Sequence, residues 1–187
     1  MALTNGLVVM TPTSSDAVGT GSSTTINTDG STTFSACTSF SLNGVFTSSY
    51  DNYMVTMRYS PSSGTGNVLR ARLRLSGTDA TSTADYNHQR FSGDSTITAT
   101  RTINEGLWRV GFSSANSSAR SSVTMYLFCP QLSTPTAYRS LGVDSWNTNT
   151  LVNFAGTHEL STSYDGITFS VNASSITGLV TVFGFNQ

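Results

Sequence analysis

Two neighbouring segments of the chain alternate between apolar and polar positions with a period of two. In the segment 52–60, one face collects Tyr53, Val55, Met57 and Tyr59. In the segment 68–76, one face collects Leu69, Ala71, Leu73 and Leu75, and the opposite face collects Arg70, Arg72 and Arg74. Such alternation is typical of antiparallel strands that bury one face in a core.

Similar signals recur along most of the chain, separated by clusters of Gly, Ser, Asp and Asn that favour turns. They predict twelve strands, at residues 32–36, 39–42, 52–60, 68–76, 86–91, 96–102, 107–112, 122–129, 137–143, 150–155, 166–171 and 178–185. A helical period is not sustained anywhere, and there is no repeat of fixed length. The fold class predicted is all-β, an antiparallel two-sheet sandwich with jelly-roll-like topology.

Residues 1–30 differ from the rest. The stretch 7–10 offers one short strand, and residues 13–30 are rich in Ser, Thr, Gly and Asp with little to bury. We therefore expect a flexible, extended N-terminal arm over residues 1–30 and a single sandwich domain over residues 31–187.

Composition limits the partners. Only 10% of the residues are charged, the net charge is −1, and all nine basic residues are Arg. This balance predicts no nucleic-acid binding, because a basic footprint is missing. The N-terminus does not resemble a signal peptide, and no apolar run is long enough for membrane insertion. Sparse charge gives little colloidal repulsion, which favours a subunit of a larger assembly.

No catalytic or metal-binding motif stands out. His88 and His158 lie in ordinary polar settings, no nucleophile elbow is present, and the acidic residues fall in turn sequences. We therefore predict a protein that is not an enzyme, with no catalytic residue, no metal and no cofactor. Cys37 and Cys129 are the only cysteines, and the sequence leaves open whether they form a disulfide.

Two features are candidates for recognition. The row Arg70, Arg72 and Arg74 is either a solvated strand face, a subunit interface or an anion-binding face, and Arg58 joins it if its strand pairs with the next. Trp146 lies in a polar loop and is a candidate contact for a glycan or partner, whereas Trp108 alternates with apolar residues and is expected in the core.

The segments Phe46–Tyr53 (FTSSYDNY) and Leu69–Asp79 (LRARLRLSGTD), followed by Tyr86 and Asn87, resemble a family of small β-rich virion structural proteins of tailed bacteriophages, of the fibre, minor tail or decoration type. The resemblance covers roughly residues 40 to 90. It implies a non-enzymatic component of the virion surface, made in the host cytoplasm, homotrimeric and in contact with other capsid or tail proteins. It brings no catalytic residues with it.

Two functions are therefore expected. The first is an oligomeric structural protein of a tailed-phage virion, attached through its N-terminal arm. The alternative is a receptor-binding module that recognises host-surface glycans through loops such as 113–118 and 147–150. The sequence does not distinguish head from tail.

Overall fold

The computed structural model describes residues 6–62, 67–93, 96–113, 120–144 and 150–186. These residues form sixteen β-strands and no helix. In chain order the strands are β1 (Val8–Val9), β2 (Ser14–Val18), β3 (Ser23–Ile26), β4 (Thr32–Cys37), β5 (Ser39–Asn43), β6 (Asn52–Pro61), β7 (Asn67–Leu75), β8 (Thr78–Asp79), β9 (Tyr86–Gly93), β10 (Ile97–Glu105), β11 (Trp108–Ser113), β12 (Ser121–Phe128), β13 (Thr136–Asp144), β14 (Thr150–His158), β15 (Gly166–Val171) and β16 (Ile176–Phe185).

The strands form two sheets. The large sheet has the order β10-β9-β14-β13-β12-β6-β16-β4-β3, and β1 pairs with β16 beside β4. The small sheet has the order β11-β7-β15-β5-β2, and β8 pairs with β7. All of the pairings between described strands are antiparallel, from β1 with β16 to β7 with β8. The predicted antiparallel, two-sheet arrangement is confirmed; the jelly-roll topology stays a prediction.

The core lies between the two sheets and contains the predicted apolar faces. Tyr53, Val55, Met57 and Tyr59 of β6 are buried, as are Leu69, Ala71 and Leu73 of β7. Leu75 is 44% exposed because β7 ends there and the chain turns away through Ser76 and Gly77, both with positive φ.

Aromatic packing connects the layers. The rings of Phe34 in β4 and Phe40 in β5 stack with their centroids 4.2 Å apart, and Phe40 also lies 5.5 Å from Phe169 in β15. Because β4 belongs to the large sheet and β5 and β15 to the small one, this stack holds the two sheets together.

All twelve predicted strands are present, and their ends differ from the prediction by three residues at most. The sequence did not signal β2, β3 or β8, because these strands contain few apolar residues. β2 reads SSDAV, β3 reads STTI and β8 reads TD.

The segment predicted as an arm lies on the sandwich from residue 8 onward. β1 pairs with β16, β2 pairs with β5 of the small sheet, and β3 pairs with β4 of the large sheet. The two polar edge strands also contact each other, since the Ser15 hydroxyl donates to Thr24 Oγ1 over 3.0 Å. Hydroxyl side chains that bond to one another allow such strands to dock with little apolar burial. The domain boundary at residue 31 stays a prediction.

Deletion of residues 1–30 is therefore expected to destabilise the fold, because it removes three strands and uncovers the edges of both sheets. We expect the urea midpoint of this variant to fall well below that of the full chain, with loss of the cooperative transition as the extreme case. A deletion of residues 1–5, which spares every described strand, is the control. An unchanged midpoint after the longer deletion would show that these strands add nothing to stability.

Candidate functional site

The predicted arginine row does not include Arg58. Arg58 lies in β6 of the large sheet, whereas Arg70, Arg72 and Arg74 lie in β7 of the small sheet. The two strands are consecutive in sequence but do not pair; β6 pairs with β12 and β16 instead. Placing Arg58 on the same surface as the row was therefore wrong, because β6 and β7, although consecutive in the chain, belong to different sheets of the sandwich.

Arg74 belongs to an intramolecular polar network. Its Nη1 lies 2.7 Å from Asp79 Oδ1 and donates to the Thr168 hydroxyl, and its Nε donates to Asn43 Oδ1. The Thr168 hydroxyl in turn donates to Asp79 over 2.6 Å, and Arg74 also donates to the Gly77 carbonyl. The network ties β5, β7, β8 and β15 together, so Arg74 stabilises the small sheet.

The other two arginines are less fully paired. Arg72 Nε donates to the Gly106 carbonyl over 2.8 Å. Arg70 lies directly opposite Arg109 of β11, its Nε is buried without a hydrogen-bond partner, and burial lowers its pKa, with Arg109 adding to the effect. Glu105 lies 3.8 Å from Arg109 and offsets part of this positive charge. The proposal of a subunit interface at this row stays a prediction that concerns mainly Arg70 and Arg72.

Trp146 and most of the two candidate glycan-contact loops lie outside the described residues. Trp108 is fully buried, as the alternation in its strand predicted. Its indole Nε1 donates to the Thr157 carbonyl over 3.0 Å, so its polar atom is satisfied within the core.

Both histidines are buried in the core rather than exposed in a cleft. His158 stacks on Tyr86 with centroids 4.3 Å apart, and its Nε2 lies 2.7 Å from the Tyr164 hydroxyl. Its pKa is lowered by burial. Burial lowers the pKa of His88 to about 4, with Arg109 adding to the effect and Glu105 opposing it. Both side chains therefore act as neutral core residues near neutral pH.

Cys37 and Cys129 are both free thiols. Cys37 is buried in β4, where burial raises its pKa, and Cys129 follows β12 in a left-handed conformation with φ of 61°. Among the residues that the structure describes, no group of three His, Cys, Asp or Glu side chains is placed to hold a metal ion.

The outer face of the large sheet carries an apolar patch that we call the outer patch. Its side chains are each between 44% and 68% exposed: Phe91, Ile97, Leu141, Val143 and Leu151. Cross-strand register makes them contiguous over four strands, because Val143 lies opposite Leu151, Leu151 opposite Gly93, and Gly93 opposite Ile97. Monomeric proteins seldom expose so many large apolar side chains side by side.

A shallow groove of about 460 Å³ runs beside the outer patch on the same face, between β10 and β14 with β9 as its floor. It is lined by Gln89, Phe91, Ala99, Arg101 and Asn153, among others. A second groove of about 620 Å³ shares Gln89 and Arg101 with it and continues toward Asn87 and Glu159. The grooves therefore form one open surface with amide, guanidinium and carboxylate groups and one exposed aromatic ring.

β13 carries its larger apolar side chains on its outward face. The outward positions of this strand are Ala137, Arg139, Leu141 and Val143, and the inward positions are Tyr138, Ser140 and Gly142. The outward set is the more apolar one beyond Arg139, and on the inward side Trp108 of β11 packs on Tyr138 while the Ser140 hydroxyl donates to the Val110 carbonyl over 2.8 Å. In the sequence of β13, Leu and Val alternate with small or polar residues. The same alternation is typical of a strand whose Leu and Val lie in the core, so it does not reveal an exposed apolar face.

A scan against family models finds no match for this chain, and a search among curated proteins finds no related sequence. In the part of the chain that the structure describes, no helix is long and apolar enough to cross a membrane.

The buried histidines predict a pH dependence of stability. A histidine whose folded pKa lies below its unfolded value of about 6.5 binds a proton more readily when unfolded. For His88, the contribution of the neutral side chain to the free energy of unfolding is therefore complete above about pH 6.5. It is lost as the pH falls toward about 4, the pKa of His88 in the folded protein. We expect His88→Gln to reduce this acid destabilisation by about 2 kcal/mol. Urea unfolding at pH 7 and pH 4.5 measures the difference; an equal pH dependence in both proteins would contradict the assignment.

Proposed function

We propose that this chain is a non-enzymatic structural protein of a tailed-phage virion that works on the particle surface as an oligomer. The observation that carries the proposal is the outer patch, a contiguous apolar surface on β9, β10, β13 and β14. Burying it against other protein removes apolar area from water, which is the main driving force of association. The resemblance in residues 40 to 90 supports the virion setting.

The distribution of charged residues on this face favours binding to another protein over action as an isolated monomer. On the described strands, the charged residues of the outer face of the large sheet are Arg58, Arg101 and Arg139. Each lies opposite an uncharged residue of a neighbouring strand. A few arginines beside apolar side chains are typical of protein interfaces. The resemblance favours three copies per assembly, in contact with capsid or tail proteins.

Attachment through the N-terminal segment is the finer part of the proposal. Since β1, β2 and β3 pair with the chain's own sheets, attachment would use side chains that this docked segment leaves exposed. Leu7, Val9 and Val18 are the exposed large apolar residues in the described part of this segment. A docked segment of this kind presents a fixed surface and loses little conformational entropy on binding.

Replacing the centre of the outer patch tests the proposal. We expect the wild-type chain to show a native mass by light scattering above that of one 19.8 kDa chain. Leu141→Gln and Leu151→Gln should lower that mass or weaken association at least tenfold, because each buries less apolar area on assembly.

The matched control is Leu75→Gln, because Leu75 is 44% exposed but lies at the end of β7 in the small sheet. This variant should keep the wild-type mass. A wild-type chain that stays monomeric at high concentration, or patch variants that behave like the control, would contradict assembly through this surface.

Recognition of host-surface glycans is the second candidate function, and the groove beside the outer patch favours it. Neutral sugars are bound by planar amide and charged groups that bond their hydroxyls and by an aromatic ring that packs on their apolar face. Gln89, Asn153 and Arg101 supply the first kind of group and Phe91 the second. Both functions use the same face of the large sheet, so one occupant would exclude the other.

A glycan array with the wild-type chain tests this alternative. Phe91→Ala and Gln89→Ala should each abolish most of the signal if the groove binds sugar, whereas Leu141→Gln, outside the groove lining, should retain it. Binding that survives both groove variants would assign recognition to another surface, such as the loop that contains Trp146.

A further inference from the structure

β10 is the last strand of the large sheet and has one free edge. Its only pairing within the described residues is with β9, from Ile97 opposite Gly93 to Glu105 opposite Tyr86. Within the described residues the small sheet ends at β11, which leaves most of the inner face of β10 uncovered. Seven of its nine residues are consequently exposed, on both faces of the strand.

Such an edge normally carries a device that prevents pairing with another chain. Charged side chains (lysine above all), prolines and bulges are the common ones, and within Ile97–Thr102 Arg101 is the one residue of this kind. β10 contains no Lys and no Pro, and its bulge lies near its end, between Thr102 and Glu105, where Asn104 has a φ of 59°. The stretch Ile97–Thr102 remains regular, rich in β-branched residues and open to pairing.

We propose that this stretch of β10 pairs antiparallel with the same stretch of a second copy of the chain, about a two-fold axis, so that the large sheet continues from one copy into the other. The inference rests on the proposed oligomeric function and adds to it a second contact, distinct from burial of the outer patch. A two-fold contact cannot close a trimer, so it joins copies two at a time, within a dimer or between trimers.

The sequence of the stretch complements itself in this arrangement. In an antiparallel pair, side chains that lie directly opposite each other point to the same face of the sheet. A two-fold axis perpendicular to the sheet therefore places one residue opposite its own copy, here Ala99 or Thr100, and passes midway between the two. Thr98 and Thr100 lie opposite threonines of the partner in both registers, as does Thr102 when the axis lies at Thr100, and such Thr pairs are favourable across strands.

The one charge in the stretch is compatible with both registers. Arg101 lies opposite the partner's Ile97 when the axis passes through Ala99, and opposite the partner's Ala99 when it passes through Thr100. The two arginines therefore never face each other directly, and like charges that oppose across strands would be unfavourable. This self-complementarity is the reason for choosing a second copy over an unrelated strand.

The pairing also agrees with the position of the outer patch. Ile97 belongs to β10, and Phe91 lies on the adjacent strand β9. Joining two copies at β10 therefore brings their outer patches side by side across the axis, where they form one larger surface for assembly.

Cysteine cross-linking of the full chain tests the contact without disturbing the fold. Ala99→Cys and Thr100→Cys each place a thiol on the proposed axis, where opposite Cα atoms of about 4.5 to 5.5 Å suit a disulfide. Ala155→Cys is the matched control, because Ala155 is an exposed alanine on the same face of the sheet but two strands away from the edge. The wild-type chain controls for Cys37 and Cys129.

We expect mild oxidation to convert most of Ala99→Cys or Thr100→Cys to a covalent dimer on a non-reducing denaturing gel, and at least fivefold less of Ala155→Cys and of the wild type. If the native mass shows an oligomer but neither edge variant exceeds Ala155→Cys, the β10 contact is wrong and the proposed function stands. If all proteins remain monomeric by native mass and on the gel, the contact and the oligomeric function both fail.

Discussion

The packing of β9, β13 and β14 in the large sheet depends on one side chain of the small sheet, Trp108. Its ring contacts Tyr138 of β13 at 4.5 Å, Tyr86 of β9 at 5.2 Å and His158 of β14 at 6.2 Å between centroids. One buried indole from the edge strand of the small sheet thus supports three strands of the large one. These rings bury a large apolar area, and their edge-to-face and tilted geometries add to it.

The limit of this support explains where the molecule is exposed. β9 still buries Tyr86 and His88, whereas seven of the nine residues of β10 are exposed and its last residue, Glu105, lies 3.8 Å from Arg109 of the small sheet. β10 is therefore held by its hydrogen-bonded ladder with β9 and by little packing. The outer patch lies on the opposite side of the same sheet, where Leu141 and Val143 of β13 point outward while Ser140 and Gly142 point inward.

How far the sequence predicts the structure depends on where the apolar residues are. β6 and β7 were predicted closely, since each alternates between a large apolar and a polar set and each is paired on both sides within its sheet. β2 and β3 were not, because Ser and Thr carry no signal of burial and these strands are held by hydrogen bonds between edges. Arg58 was grouped with the wrong row, because alternation within a strand carries no information about which strand pairs with it.

The candidate surfaces were harder still to predict, because they depend on the pairing of strands that are distant in the chain. Leu151 of β14 meets Val143 of β13 on one side and Gly93 of β9 on the other, and no local pattern links these positions. The function of the arginine row likewise depended on long-range neighbours, since Thr168 and Asn43 make Arg74 part of the small sheet.

Association and local stability are linked in this arrangement. A strand held on one side opens locally at low free energy, and a second copy that pairs with its free edge binds only the closed form. Pairing would therefore stabilise β10 in both copies, and the gain would grow with concentration by mass action. A chain with 10% charged residues opposes such contacts with little long-range repulsion. The same sparse charge that weakens the case for a free-standing monomer thus favours ordering of β10 in an assembly.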